Sequence, residues 1–117
     1  MSFDLDRLAR LWNEPPAADD GEARRAFAEV YADPVVINGE AVGLADLVAM
    51  ARQNHVTYQD QRREILDVAD SGDKVAFAFV LRATQHGRPV AIRVLDILTL
   101  TDGLVTEVWA VQQPLAA

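Results

Sequence analysis

The sequence predicts an α+β fold in which three N-terminal helices pack inside a strongly curved, mostly antiparallel sheet. Two observations carry this reading. Up to about Tyr58 the apolar residues recur at helical spacing, whereas beyond it the chain turns to long β-branched and aromatic runs separated by glycine-bearing turns. Those runs also follow one another directly, and a parallel sheet would need them to alternate with helices.

Each element has its own signal. Leu5, Leu8, Ala9 and Trp12 form the stripe of a short first helix that Glu14-Pro15-Pro16 ends, because proline lacks the amide and restricts the residue before it. Asp19-Asp20-Gly21 is a capping cluster, and Ala23, Ala26, Phe27, Val30 and Tyr31 make a second stripe expected to run to Asp33-Pro34. Val35-Val36-Ile37 reads as a brief strand, and Asn38-Gly39 as a turn. After Gly43 a third helix, from 44 to about 55, places Leu44, Leu47, Val48 and Ala51 on one face. Strands are expected at about 63 to 70, 74 to 85, 89 to 101 and 104 to 113, joined by hairpin turns at Ser71-Gly72-Asp73, His86-Gly87 and Asp102-Gly103.

The bulk composition narrows the function classes. A chain of 117 residues, half hydrophobic and a quarter charged, is expected to form one domain over residues 1–117 with its own core. With 11 basic against 18 acidic residues and a formal net charge of −7, neither nucleic acid nor an anionic membrane surface is an expected partner. The absence of cysteine removes disulfides, thiolate catalysis and cysteine metal sites together. The start MSFDLDRLARLW carries Asp4 and Asp6 and lacks a basic lead and an apolar core, so it does not read as a signal peptide. No stretch approaches membrane-spanning length, and a cytoplasmic location is expected.

One residue stands out for chemistry. By period two, a single face of the strand at 89 to 101 holds Val90, Ile92, Val94, Asp96, Leu98 and Leu100, with Asp96 its only polar member. A carboxylate in an apolar row is disfavoured in its ionised form, so its pKa should rise, which suits a general acid/base. The plain alternative is a hydrogen-bonded or partly solvated aspartate of no importance. His86 falls in a predicted turn and His55 near a helix C-terminus. Neither has a triad or a metal-ligand spacing beside it, so no metal and no cofactor are expected. Phe77, Phe79, Leu81 and Met50 read as core that a conical fold would turn into pocket lining.

The run VAFAFVLRATQHGRPVAIRVLDILTLTDGLVTEVWAVQ resembles the ketosteroid isomerases in composition and in its spacing from hairpin glycine to aspartate. The ending Asp102-Gly103-Leu104-Val105-Thr106-Glu107-Val108-Trp109 looks like the SnoaL-like polyketide cyclases of the same nuclear transport factor 2-like superfamily, and Tyr31-Ala32-Asp33 followed by Gly43 matches the superfamily's first half. The resemblance implies a cone-shaped α+β fold. It places Asp96 where the isomerases hold a protonated oxyanion-hole aspartate and the cyclases their acid/base. The isomerase base would fall near Asn38 or Gly39 and its tyrosine donor near Leu8, so the pair needed for steroid isomerisation is missing here.

These readings converge on an isomerase or cyclase that binds a small apolar, polyketide- or terpenoid-like molecule. Asp96 would transfer protons, Asn38 orient an oxygen, and Met50, Phe79, Leu81, Leu98 and Val108 shape the cavity. A non-catalytic ligand-binding or dimerisation module is the alternative, since a fold does not fix a function. Epoxide hydrolysis is a third choice, because Arg93 points away from Asp96 by strand parity and no second aspartate matches. In the last strand, Val105, Glu107, Trp109 and Val111 alternate with Thr106, Val108, Ala110 and Gln112. The second set is expected inside, which leaves Trp109 on the outer face beside Arg93, Leu95 and Ile97 as the centre of a homodimer contact. The opposite register, with Trp109 in the pocket, depends on the length of the turn at Asp102-Gly103.

Overall fold

The computed structural model describes residues 3–115, with the element order α1 (Leu5–Asn13), α2 (Asp20–Ala28), β1 (Tyr31–Ile37), β2 (Glu40–Val42), α3 (Leu44–Thr57), β3 (Gln59–Asp70), β4 (Lys74–Gln85), β5 (Arg88–Thr101) and β6 (Leu104–Pro114). Local chemistry sets the helix starts. The Asp4 carboxylate accepts from Arg7 N at 2.9 Å and that of Asp19 from Glu22 N at 2.9 Å, so both short helices are capped by aspartate. No described helix is long and apolar enough to cross a membrane.

The six strands form one open, curved sheet in the order β2-β1-β6-β5-β4-β3, antiparallel except where β1 runs parallel to β6. Its inner face packs on α1 and α3, and α2 lies against α3 and β1. Phe27, Leu47, Leu98, Val35, Val75 and Val105 are the largest fully buried side chains, so the core is densest where α2 and α3 meet the sheet. The third helix buries Leu44, Leu47, Val48 and Ala51, the face its spacing predicts.

Strand β3 begins at Gln59, ahead of the expected start near Arg63, and the structure departs from the sequence reading in three further places. The second helix ends at Ala28, and Tyr31, expected on its stripe, opens β1 instead. Pairing overrides helical spacing there: Val30 O accepts from Val105 N at 2.8 Å, and Tyr31 sits opposite Val105. Strand β2 was not expected. It follows from Asn38-Gly39, whose φ values of 49° and 87° make the left-handed two-residue turn that closes β1 and β2 into a hairpin. Finally, Val105 is fully buried, although strict alternation puts it on the outer face with Trp109. Thr99 pairs with Glu107 and Leu100 with Val105, so Thr106 is an extra residue that reverses the parity of β6.

The third helix has an unusual start. Its N-cap residue Gly43 offers no side chain, and the Leu44 N–H donates instead to Asp33 Oδ1 of β1 at 3.1 Å. Replacing Asp33 by alanine should therefore destabilise the protein by about 1 kcal/mol, as loss of a helix cap does, and denaturant unfolding of the two proteins checks this. An unchanged midpoint would mean that water replaces the carboxylate at no cost.

Candidate functional site

The short helix α1 and the C-terminal half of α3 stand off the inner face of the sheet and leave a cavity of about 290 Å³. Its walls are Leu5, Leu8 and Trp12 from α1, Met50 and Asn54 from α3, and inward residues of β3 to β6. The lining is apolar apart from a few convergent groups, the pattern of a small-molecule site at the low end of the usual size range of roughly 300–1,000 Å³.

The floor is aromatic. Phe77 and Phe79 stack with ring centroids 5.7 Å apart at an interplanar angle of 22°. Asp96 stands beside this floor, because β5 pairs Asp96 with Phe77 on one side and with Ala110 of β6 on the other. The methyl group of Ala110 leaves open space beside the carboxyl. Asp96 is the only carboxylate among the described residues that line the cavity. Burial pushes its pKa up from 3.8 to about 6, and the Arg63 guanidinium opposes the rise without cancelling it.

Arg63 comes from the inward face of β3 and is held by neutral groups. Its Nη1 donates to Asn13 Oδ1 at 2.9 Å and to Gln61 Oε1 at 3.0 Å, and its Cζ lies 5.8 Å from the centre of the Phe79 ring. Gln61, itself buried, donates through Nε2 to the carbonyls of Asn54 and Tyr58 at 3.1 Å each, which anchors this network to the end of α3. Burial lowers the Arg63 pKa to about 10, still charged at neutral pH.

Tyr31 supplies the third polar group. Its hydroxyl accepts from Trp12 Nε1 at 2.8 Å, while His55 Nε2 donates to the Trp12 carbonyl at 2.9 Å. Desolvation holds the phenol far above its ordinary pKa, so it stays protonated. Its oxygen accepts from Trp12, so the hydroxyl still has its own proton to donate, and Tyr31 lines the cavity.

Among the residues singled out from sequence, Asp96, Met50, Phe79, Leu81 and Val108 line the cavity. Two lie elsewhere. Leu98 is 1 % exposed and forms core beneath the cavity, one inward step beyond Asp96. Asn38, expected to orient a ligand oxygen, sits in the β1–β2 turn with Oδ1 accepting from Ala110 N at 2.8 Å, because the left-handed turn needs a short polar residue there. Trp109 is on the outer face, 48 % exposed and opposite Ile97, which excludes the register that placed it in the pocket. Sequence reading named Tyr31 only in a helix stripe and a family motif, with no site role, and did not single out Arg63 or Gln61. The parity of β3 held a signal, since Gln61 and Arg63 share a face with the inward Ile65.

The opposing effects on Asp96 can be separated. Its carboxyl carbon should titrate near pH 6 in a carbon-detected NMR experiment, and Arg63→Met should move that value higher, because the one attractive charge is gone. A value near 3.8 in the wild type, or a fall in the variant, would show that burial does not govern this group.

The same architecture recurs among solved structures. IdmH of Streptomyces antibioticus aligns with a TM-score of 0.75 at 19% identity over 93% of this chain and 88% of its own. TsrD of Streptomyces laurentii aligns at 0.77 and 18% over 93% and 84%. A SnoaL-like polyketide cyclase of Agrobacterium tumefaciens strain C58 aligns at 0.77 and 17% over 97% and 93%. At such identities the likeness speaks for the fold. None of the curated proteins matches the chain by sequence. The family model of the SnoaL-like domain matches residues 4–108, from the first helix cap through Val108 at the cavity wall, and the chain therefore belongs to the SnoaL-like domain family.

Proposed function

We propose that the cavity binds a small apolar molecule of polyketide- or terpenoid-like character and that Asp96 moves a proton at a carbon next to a carbonyl, in an isomerisation or an intramolecular cyclisation. One observation carries the reading: a lone carboxyl, raised to about 6, faces an open apolar cavity. A general base works best with a pKa close to the operating pH, because it is then largely ionised yet still basic enough to take a proton. The Tyr31 hydroxyl donates to the carbonyl oxygen as negative charge grows there, which lowers the barrier in a site of low dielectric. The description of one structural relative as a SnoaL-like polyketide cyclase agrees with this class of chemistry. Epoxide hydrolysis fits less well, since Asp96 has no second carboxylate beside it among the described lining residues.

The elementary step can be measured before the natural substrate is known. Monoterpene ketones incubated with the protein in deuterium oxide should gain deuterium at the carbon next to the carbonyl, and Asp96→Asn should abolish the gain. Absence of protein-dependent exchange, or exchange that survives in the variant, refutes the assignment. The variant also carries its own check on folding. Asp96 binds its proton more tightly folded than unfolded, so the stability it contributes is fully present below about 3.8 and is lost as pH rises through about 6. Asp96→Asn should therefore gain stability over the wild type between pH 4 and pH 8, by about 1–3 kcal/mol.

We also propose that two copies pair through the outer face of the sheet. Leu95, Ile97, Trp109 and Val111 are 46 to 65 % exposed on adjacent strands and make one apolar patch. Arg93 and Glu107 flank it at opposite ends of the β5–β6 pair, so a twofold axis running across the strands sets the basic end of one copy against the acidic end of the other. In sedimentation the wild type should run as a dimer at micromolar concentration and Trp109→Glu as a folded monomer. A monomeric wild type removes the proposal.

A further inference from the structure

Arg63 is the only cation among the described residues that line the cavity, and its hydrogen bonding is one-sided. Both acceptors, Asn13 Oδ1 and Gln61 Oε1, are taken by Nη1. No described group accepts from Nε or Nη2, and Arg63 forms no salt bridge among the described residues. No buried side-chain nitrogen or oxygen among them lacks a partner, so Nε and Nη2 must be reachable from open space. The edge left free is the one that receives a carboxylate through two parallel hydrogen bonds.

Asp96 does not occupy that edge, since it forms neither a salt bridge nor a hydrogen bond with Arg63. Arg63 pairs with Leu81 of β4 and Asp96 with Phe77, which sets their backbones roughly 13 Å apart along the strand at a rise of ~3.3 Å per residue. The Arg63 guanidinium reaches over Phe79, and Phe77, stacked on Phe79, is the ring beside Asp96. The cavity thus has a cation at one end, a carboxyl at the other and an apolar floor between them.

We infer that the ligand of this cavity is an apolar acid, with its carboxylate seated on the Nε/Nη2 edge of Arg63, its hydrocarbon body over Phe77 and Phe79, and its reacting carbon at Asp96. The inference rests on the cavity being the ligand site. A carboxylate fits better than a phosphate, because one guanidinium edge matches one planar monoanion and the remaining walls offer few donors. Arg63 is in this reading a specificity-determining residue: it selects acids over neutral analogues and fixes which carbon reaches Asp96.

The test compares geranic acid with geraniol, which share a skeleton and differ in the charged group, by NMR-detected titration at pH 7. The wild type should bind the acid about tenfold or more tightly than the alcohol. Arg63→Gln should bring the two together by weakening the acid alone, and Arg63→Lys should keep part of the preference if the glutamine variant does not fold. Equal binding of acid and alcohol by the wild type overturns the inference and leaves the cavity reading standing. A preference for the acid that survives in Arg63→Gln overturns it as well. Failure of both compounds to bind removes the cavity reading, and this inference with it.

Discussion

The hydrogen bond from Trp12 Nε1 to the Tyr31 hydroxyl holds the site together, because it ties α1 to the sheet at the point where the cavity begins. Trp12 meets Phe27 of α2 edge to face at a centroid distance of 5.4 Å, and its carbonyl receives the His55 ring N–H from α3. One residue thus joins three helices to β1. Without it, α1 would be a nine-residue helix, too short to hold its own conformation in water. The same bond is accepted by Tyr31 and leaves its phenolic proton free to donate, so the contact that closes the fold involves a residue of the cavity wall.

The polar groups inside the sheet follow from what each would lose by burial. A buried guanidinium is strongly unfavourable unless its N–H groups find acceptors, and Arg63 finds two in neutral amides. These neutral acceptors satisfy Nη1 without cancelling the charge. Asp96 therefore feels a cation at a distance in place of an ion pair, and desolvation prevails over attraction in setting its pKa. Had Arg63 formed a direct salt bridge with Asp96, the carboxyl would have stayed ionised well below neutrality, and a base of useful strength would have been lost.

Much of this was legible in the sequence wherever periodicity and burial coincide. The faces of α3, β4 and β5 could be read because their inward residues are apolar almost without exception, so Asp96 showed as a break in a pattern. Tyr31 was hidden because Val30 and Tyr31 fit a helical stripe as well as a strand, and only pairing with β6, some seventy residues away in the chain, decides between the two. Arg63 and Gln61 were hidden for the opposite reason: polar residues on an edge strand look solvated, and nothing local reports that α3 covers one of their faces. The parity of β6 held from Val108 to Gln112 and failed at Val105, since a bulge has no signature in composition.

The space above the aromatic floor is itself informative. A sealed, dry void of about 290 Å³ would cost on the order of 7 kcal/mol at ~24 cal/mol per Å³, comparable with the whole stability of a small domain. The fold avoids most of that penalty by leaving the cavity open, with Met50 half exposed among its walls. Below the cavity, Leu98 and Val105 are packed solid, so the chain can fill the interior of this sheet where filling is all that is required. The small side chains of Ala9 and Ala110, set among large neighbours beside Asp96 and the α1 wall, keep the upper level empty. A ligand that occupies this space recovers the forfeited contacts and stabilises the folded state in proportion to the logarithm of its concentration over Kd, so binding and folding draw on the same unfilled volume.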